Sequence, residues 1–434
     1  MTPTYWAVVI LVFGAVVLLL VVSLLSTHPR VVAYAGLPFA VISAGFGLQT
    51  PQPLALAIVA LCGVCAIALL LIPVLEPAVP QHVAEAAALL LLGTAGAIGL
   101  AQATDLLQAV VGLETLALSA VILVALGAGD RSLEAAFKYI VLGAISLASL
   151  LYGLGLVYLG SGSLAFPTAA QIAASPLVLA GIVLVGLGIA FELALVPLHW
   201  GALDAYTAAA PGLAGFVMSA SKLAAAFALG RIVLAAGASL GQVLIWIGCI
   251  TIVWGTFGAI AQARDLRRML AYSAITHAGF IGLALGSGPA GAVTAGFYAA
   301  AYASMAMLVF AGLAGPWSVD LRTIGRWRAL ALGLGLFSLA GIPPTPGFWA
   351  KLAVLVVAWQ AAGWLPTLIA VAGGVFSVLY YLRPLPDLFA ALRAEPSVAV
   401  DSRPVLLPGV VLATLAVVVM SIFPGIAWYL VRGA

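Results

Sequence analysis

Six side chains that can exchange protons lie within long apolar stretches of this sequence. A charged residue costs roughly 2.5–3.5 kcal/mol at the centre of a membrane helix, and residues of this kind generally mark ion or proton pathways. Glutamate, histidine and desolvated lysine can each release or take up a proton. The set therefore predicts a proton relay, made of Glu114, Lys138, Glu192, Lys222, His277 and Lys351.

Lysine and arginine are distributed differently along the chain. All three lysines lie inside predicted helices, whereas all thirteen arginines lie at or near predicted helix ends. Arginine effectively cannot lose its proton in a protein, but a buried lysine can. This segregation favours proton transfer by the lysines.

The positions of three candidates favour function directly. Lys222 lies near the middle of its apolar run, too deep for its side chain to reach water easily. Lys351 follows a helix break, where unwound backbone can solvate it. Glu114 lies midway through its run, where an unpaired carboxylate would take up a proton.

The other candidates carry structural alternatives. Lys138 is close to its helix start and could extend towards the membrane surface. Glu192, one turn before Pro197, could cap broken backbone. His277 could be a hydrogen-bonded core residue, and His199 is more simply read as a structural partner of the broken segment. We expect Asp204 and Tyr206 in the loop beyond it.

The elements that position these residues must be membrane helices. Hydrophobic residues make up 65% of the 434 residues and charged residues 7%, against about 25% charged in soluble domains. The chain shows no basic tail or aromatic–basic patch, which argues against nucleic-acid binding. The first apolar run lacks a basic segment and a cleavage site, so we expect it to be a retained helix.

About fourteen apolar runs approach the 20 residues or so that span a bilayer. Two are interrupted, one at Pro197 and one at residues 341–347. The predicted fold is all-α and polytopic, with runs at 4–25, 31–49, 53–73, 83–102, 105–126, 132–159, 176–207, 211–236, 240–262, 268–286, 290–315, 328–361, 364–383 and 405–430.

The two interrupted runs are the seventh and the twelfth, five crossings apart, so they must run in opposite directions. This parity predicts two inverted five-helix repeats, with helices four to eight matching nine to thirteen. Broken helices expose backbone that lipid cannot satisfy, so both breaks belong in a protein- or water-lined interior. The predicted units are residues 1–82, 83–236, 237–385 and 386–434.

Loop charges predict the orientation. Eleven arginines lie in or beside the odd-numbered loops, and only Arg231 and Arg432 lie on the other side. Cytoplasmic loops carry the excess of basic residues. We expect a multi-pass protein of the bacterial inner membrane with both termini on the non-cytoplasmic side.

The chain has no motif for a cofactor that could drive proton movement. There is no nucleotide-binding loop, iron–sulfur cysteine set or haem ligand pattern. Cys62 and Cys65 form a C-x-x-C without a second ligand pair, so we interpret them as packing residues. The energy for pumping must come from partner subunits.

Several motifs resemble the antiporter-like membrane subunits of respiratory complex I, most closely their subunit N branch. The similarity runs over residues 85–385 with its motifs in the expected order. They are 138–144, 151–153, 160–164, 196–200, Asp204, Tyr206, Ser221-Lys222, 265–273, 277–279, Pro343-Pro344, 347–348 and Lys351.

The resemblance implies a subunit of a proton-translocating NADH–quinone oxidoreductase, or of a complex I-like relative, with two inverted half-channels. Glu114 matches the fifth-helix glutamate, Lys222 the connecting lysine and Lys351 the exit-side lysine. It places quinone, flavin and iron–sulfur clusters in partner subunits, with no cofactor in this chain. Its partners would be other membrane-arm subunits.

One residue departs from the family pattern. The family has lysine five residues before the proline of its Pro-x-His motif, where this chain has Glu192. The pair with Glu114 cannot form in the usual way, and Lys138 or Lys222 could compensate. Two other readings stay open: a subunit of a multisubunit cation/proton antiporter, or a non-pumping scaffold.

Overall fold

The computed structural model describes residues 3–22, 29–51, 54–71, 82–127, 129–314, 320–393 and 407–425. Within these ranges the chain is almost entirely helical, and no strand is assigned beyond one isolated bridge between Asp105 and Ala165. The α-helices, numbered in chain order, are α1 (Pro3–Val17), α2 (Pro29–Gly47), α3 (Leu54–Leu71), α4 (Val83–Ala101), α5 (Leu106–Ala125), α6 (Asp130–Ser161), α7 (Ala169–Ala174), α8 (Pro176–Leu193), α9 (Trp200–Ala208), α10 (Pro211–Ala236), α11 (Ala238–Ala261), α12 (Leu266–Gly286), α13 (Gly288–Leu313), α14 (Arg326–Ala340), α15 (Pro346–Ala362), α16 (Trp364–Tyr381), α17 (Leu385–Arg393) and α18 (Leu407–Ile422).

Eleven helices in the described part are long and apolar enough to cross a membrane. Three further apolar helices are shorter, Val31–Gly47, Pro346–Ala362 and Pro408–Ile422. The all-helical membrane fold predicted from the sequence is confirmed. The count of fourteen crossings stays a prediction.

Both interrupted runs break by the same local mechanism. α8 ends at Ala194, whose φ of 64° is left-handed, and α14 ends at Gly341 with φ 82°. At each helix end, one N–H donates to the carbonyl three residues back, and the next N–H donates to the carbonyl five residues back. In the first break these bonds are Ala194 to Phe191 and Leu195 to Ala190. In the second they are Gly341 to Ser338 and Ile342 to Phe337. This is the Schellman pattern, and the prolines that follow prevent the helix from continuing.

After its break, the seventh run becomes helical again earlier in the chain than the sequence suggested. α9 begins at Trp200 and contains Asp204 and Tyr206, which we had expected in a loop. The segment is short and mixed in polarity, so its composition hid a helix that tertiary packing stabilises. Tyr206 is buried as a result.

Hydrogen bonds near the helix ends agree with a chain whose successive helices cross the membrane in opposite directions. Arg322 Nε donates to Asp387 Oδ1 at 2.8 Å, which joins the eleventh and thirteenth loops. Leu106 N donates to Leu164 O at 2.9 Å, which joins the fourth and sixth. We call the side of the odd-numbered loops the arginine-rich face and the other side the opposite face.

Candidate functional site

Four of the six predicted relay residues are buried in the helical core. Glu192, Lys222, His277 and Lys351 expose no more than 9% of their surface. They lie on α8, α10, α12 and α15, so both interrupted runs contribute one residue. Burial of this kind is costly for charged groups unless partners compensate.

Glu192 occupies the last turn of α8, two residues before the left-handed Ala194. Ser221 Oγ donates a hydrogen bond to Glu192 Oε1 at 2.5 Å. The second oxygen, Oε2, is buried and has no hydrogen-bond partner among the described residues. A buried acceptor without a partner is unfavourable, so this oxygen is suited to receive a proton or a water molecule.

Lys222 follows Ser221 on α10 and is fully buried. Its Nζ donates to Tyr206 Oη at 3.2 Å. The same nitrogen lies 4.8 Å from the ring centre of Tyr206 and 5.8 Å from that of Tyr302. One turn of α10 therefore presents a hydroxyl to Glu192 and an amine to Tyr206, and the Glu192 and Lys222 charges interact.

His277 connects two tyrosines through its two ring nitrogens. Nδ1 lies 2.8 Å from Tyr298 Oη and Nε2 lies 3.1 Å from Tyr381 Oη. Each hydroxyl can donate or accept. His277 can thus take a proton at one nitrogen and release one at the other, and it interacts electrostatically with both Lys222 and Lys351.

Lys351 sits in a cradle made by the end of α14. Its Nζ donates to Leu339 O at 3.0 Å and Ala340 O at 2.8 Å, and to Ser377 Oγ at 3.0 Å. These carbonyls have no helical partner because the helix stops at Gly341. The negative end of a helix dipole adds to the stabilisation of the ammonium.

The tyrosines around His277 were not found from the sequence. Tyr298, Tyr302 and Tyr381 are each no more than 1% exposed, and Tyr381 also hydrogen-bonds Ser273. The spacing of Tyr298 and Tyr302, four residues apart on one helix face, was the available signal.

The remaining two candidates lie outside this buried set. Glu114 on α5 is only partly buried, though its carboxylate interacts electrostatically with Glu192. Lys138 has 48% of its side chain exposed and forms ion pairs with Glu134 at 2.7 Å and Asp204 at 3.2 Å. The pair with Glu134 joins residues four apart on α6, a common arrangement on helix surfaces.

His199 and the cysteines contact ordinary packing partners. The His199 ring lies 4.9 Å from Trp200 and 5.8 Å from Trp254. Cys62 and Cys65 are buried free thiols that donate to Ser43 Oγ and Leu90 O. No group of three potential metal ligands occurs within the described ranges.

Comparison with known proteins gives consistent similarities. A family model described as NADH:quinone oxidoreductase/Mrp antiporter, transmembrane, matches residues 103–377. NADH-quinone oxidoreductase subunit N 1 of Solidesulfovibrio magneticus is 37% identical over 338 residues, which is 73% of this chain and 72% of that protein.

Two solved structures share the fold over nearly the whole chain. A chain of respiratory complex I from Thermus thermophilus, with bound aureothin, has a TM-score of 0.79 and 28% identity, covering 99% of this chain and 100% of that one. A chain of the Mrp complex from Dietzia has a TM-score of 0.80 and 19% identity, covering 99% and 96%. At that identity the second match shows the fold alone.

Proposed function

This chain belongs to the NADH:quinone oxidoreductase/Mrp antiporter transmembrane family, and from that premise we propose that it moves protons as a membrane-arm subunit of a complex I-type assembly. Quinone reduction in partner subunits supplies the energy. The chain itself contributes the proton path and no redox centre.

One observation carries this proposal: His277 is hydrogen-bonded to a tyrosine hydroxyl at each ring nitrogen, and its ring lies 4.9 Å from Tyr302, whose other neighbour is Lys222 Nζ at 5.8 Å. Such hydroxyls pass protons by accepting one and donating their own. Water can complete the path where side chains are too far apart to touch. The arrangement links Lys222 in the first half to Lys351 in the second.

Local structure supports the inverted repeats on which two half-channels depend. The Schellman ends at Ala194 and Gly341 are alike. α5 and α12 each begin after a capping aspartate, Asp105 and Asp265, whose carboxylate accepts backbone N–H groups. We propose residues 83–236 and 237–385 as the two units.

Replacing Lys222 tests the proposal. In the assembled complex, Lys222→Arg keeps a positive charge that effectively cannot be released. Since a positioned proton-transfer group contributes roughly 10²–10⁴-fold to rate, we expect protons translocated per electron to fall about tenfold or more. The measurement is acidification of inverted vesicles together with electron transfer to quinone.

Ser219→Ala on the same helix is the matched control and should pump normally. Lys222→Ala, with the amount of assembled complex measured, guards against a folding defect. Normal pumping by both Lys222 variants would favour a non-pumping scaffold. Sodium-dependent transport in vesicles without a redox substrate would instead favour a cation/proton antiporter, the other branch named by the family model.

A further inference from the structure

An ion cluster lies on the arginine-rich side of the first half. Lys138, in the second or third turn of α6, contacts Glu134 and Asp204, the latter on α9. The three side chains are 48%, 65% and 35% exposed. We expect charges with this exposure, close to the start of α6, to exchange protons with water.

The next residue on α6 points to the buried site. Tyr139 is only 3% exposed, and its ring stacks on Phe191 with centroids 5.9 Å apart, which places it against the last turn of α8. Because Phe191 directly precedes Glu192, the Tyr139 ring lies beside the turn of α8 whose carboxylate accepts the hydrogen bond of Ser221.

α9 shows the same division. Asp204 belongs to the outer cluster, while Tyr206, two residues later, accepts the hydrogen bond of Lys222 Nζ. On both α6 and α9, a residue of the exposed cluster is followed within two positions by a buried tyrosine. These tyrosines are on the side of Glu192 and Lys222.

We propose that this arrangement is the proton entry of the first half, leading from the cluster through Tyr139 and Ser221 to Glu192. A proton from the cluster reaches the Tyr139 oxygen through water, and Tyr139 passes its own proton to Ser221 Oγ through a further water molecule. Ser221 then donates its proton to the Glu192 carboxylate. Both hydroxyls end neutral and Glu192 becomes a carboxylic acid, which passes the proton to Lys222 when that amine is neutral.

This assignment gives Glu192 a role suited to a carboxylate. Its unpartnered Oε2 is the free acceptor that a loading site requires. A lysine here would bring a second cation close to Lys222. With glutamate, the acid and the base of the transfer lie within the same half, and the proposal rests on the proposed function of proton translocation.

Removing single oxygen atoms tests the route in the assembled complex. In Tyr139→Phe and in Ser221→Ala we expect protons translocated per electron to fall about tenfold, since a missing proton-transfer group costs roughly 10²–10⁴-fold before water compensates. Ser221→Thr restores the hydroxyl and should restore pumping. Tyr152→Phe on α6 and Ser219→Ala on α10 are the matched controls.

Comparing these variants with Lys222→Arg distinguishes the entry route from the proposed function of proton translocation. If Lys222→Arg stops pumping while Tyr139→Phe and Ser221→Ala both pump normally, the entry route is wrong and the function stands. If Lys222→Arg also pumps normally, the function itself is wrong.

Access of water to the cluster can be measured independently. The native cysteines within the described residues are buried, so background labelling should be low. Glu134→Cys should react with a membrane-impermeant maleimide from the arginine-rich face of the assembled complex, and Ala170→Cys, in an exposed position of α7, only from the opposite face. Absence of labelling at Glu134→Cys from both faces means that a neighbouring subunit or lipid seals the cluster, which overturns the proposal.

Discussion

At the scale of single residues, the two buried lysines have different surroundings. Lys351 directs its ammonium at two carbonyls and a hydroxyl, all of which stabilise the charged form. Lys222 has one tyrosine hydroxyl and two aromatic faces. The two amines are therefore held by different chemistry, one by oxygen atoms and the other mainly by aromatic rings.

Tyr381→Phe should weaken the connection between the halves. The variant removes the hydroxyl that contacts His277 Nε2 and Ser273. Leaving a buried nitrogen unpaired costs roughly 1–3 kcal/mol, so we expect lower thermal stability together with reduced pumping per electron. Tyr272→Phe on α12 is the comparison. Equal pumping by both variants would show that protons do not pass Tyr381.

At the scale of elements, the chemistry depends on where helices stop. Glu192 lies just before one break, and Lys351 bonds the carbonyls released by the other. Counted from the left-handed residue of each break, Asp204 and Lys351 both stand ten positions later. The two breaks thus present titratable groups at matching positions, one facing the outer cluster and one facing the core.

Gly341→Ala should disturb Lys351 more than a general loss of stability would. A Cβ here would meet Lys351 Cδ at 2.9 Å, and the φ of 82° is unfavourable for alanine. Left-handed backbone alone costs roughly 1–2 kcal/mol. Gly162→Ala, at a residue with the same left-handed backbone (φ 69°) and nothing within 4 Å, therefore reports that cost alone. We expect both to lower the melting temperature of the complex but only Gly341→Ala to reduce pumping.

At the scale of the whole molecule, the arginine distribution and the loop contacts describe one arrangement. Contacts join odd-numbered loops to odd and even to even, as alternating crossings require. We propose that the arginine-rich face is cytoplasmic and that both termini lie on the other side.

Labelling in right-side-out and inverted vesicles checks this orientation. Thr323→Cys, exposed in the eleventh loop, should react with an impermeant maleimide only from the cytoplasmic side. Reaction from the periplasmic side alone would reverse the assignment of both faces. Electron transfer should be unchanged in this variant.

Sequence reasoning predicted the fold well because membrane helices depend on local properties. Runs of apolar residues and the Pro-Gly interruptions near Pro197 and residues 341–347 are visible without a structure. All six candidate residues were expected inside the membrane core; four are buried, whereas Glu114 is only partly buried and Lys138 is 48% exposed. The tertiary contacts were not predicted. Three tyrosines from two helices contact His277, and no local sequence pattern indicates such a cluster.

The contacts that were missed have the same origin. α9 is short and of mixed polarity, so Asp204 and Tyr206 were expected in a loop. The contact between Lys138 and Asp204 joins segments 66 positions apart, whereas the pair between Glu134 and Lys138 is local, four residues apart on α6.

The position of α14 relative to α15 determines which oxygen atoms surround the Lys351 amine. Its two carbonyl oxygens belong to α14, whereas the amine belongs to α15, on the far side of Gly341. Any bending at this joint changes how many oxygen atoms surround the nitrogen, and hence how firmly it holds its proton. A movement of α14 or α15 caused by a neighbouring subunit would therefore act on the ammonium directly, with no intermediate side chains.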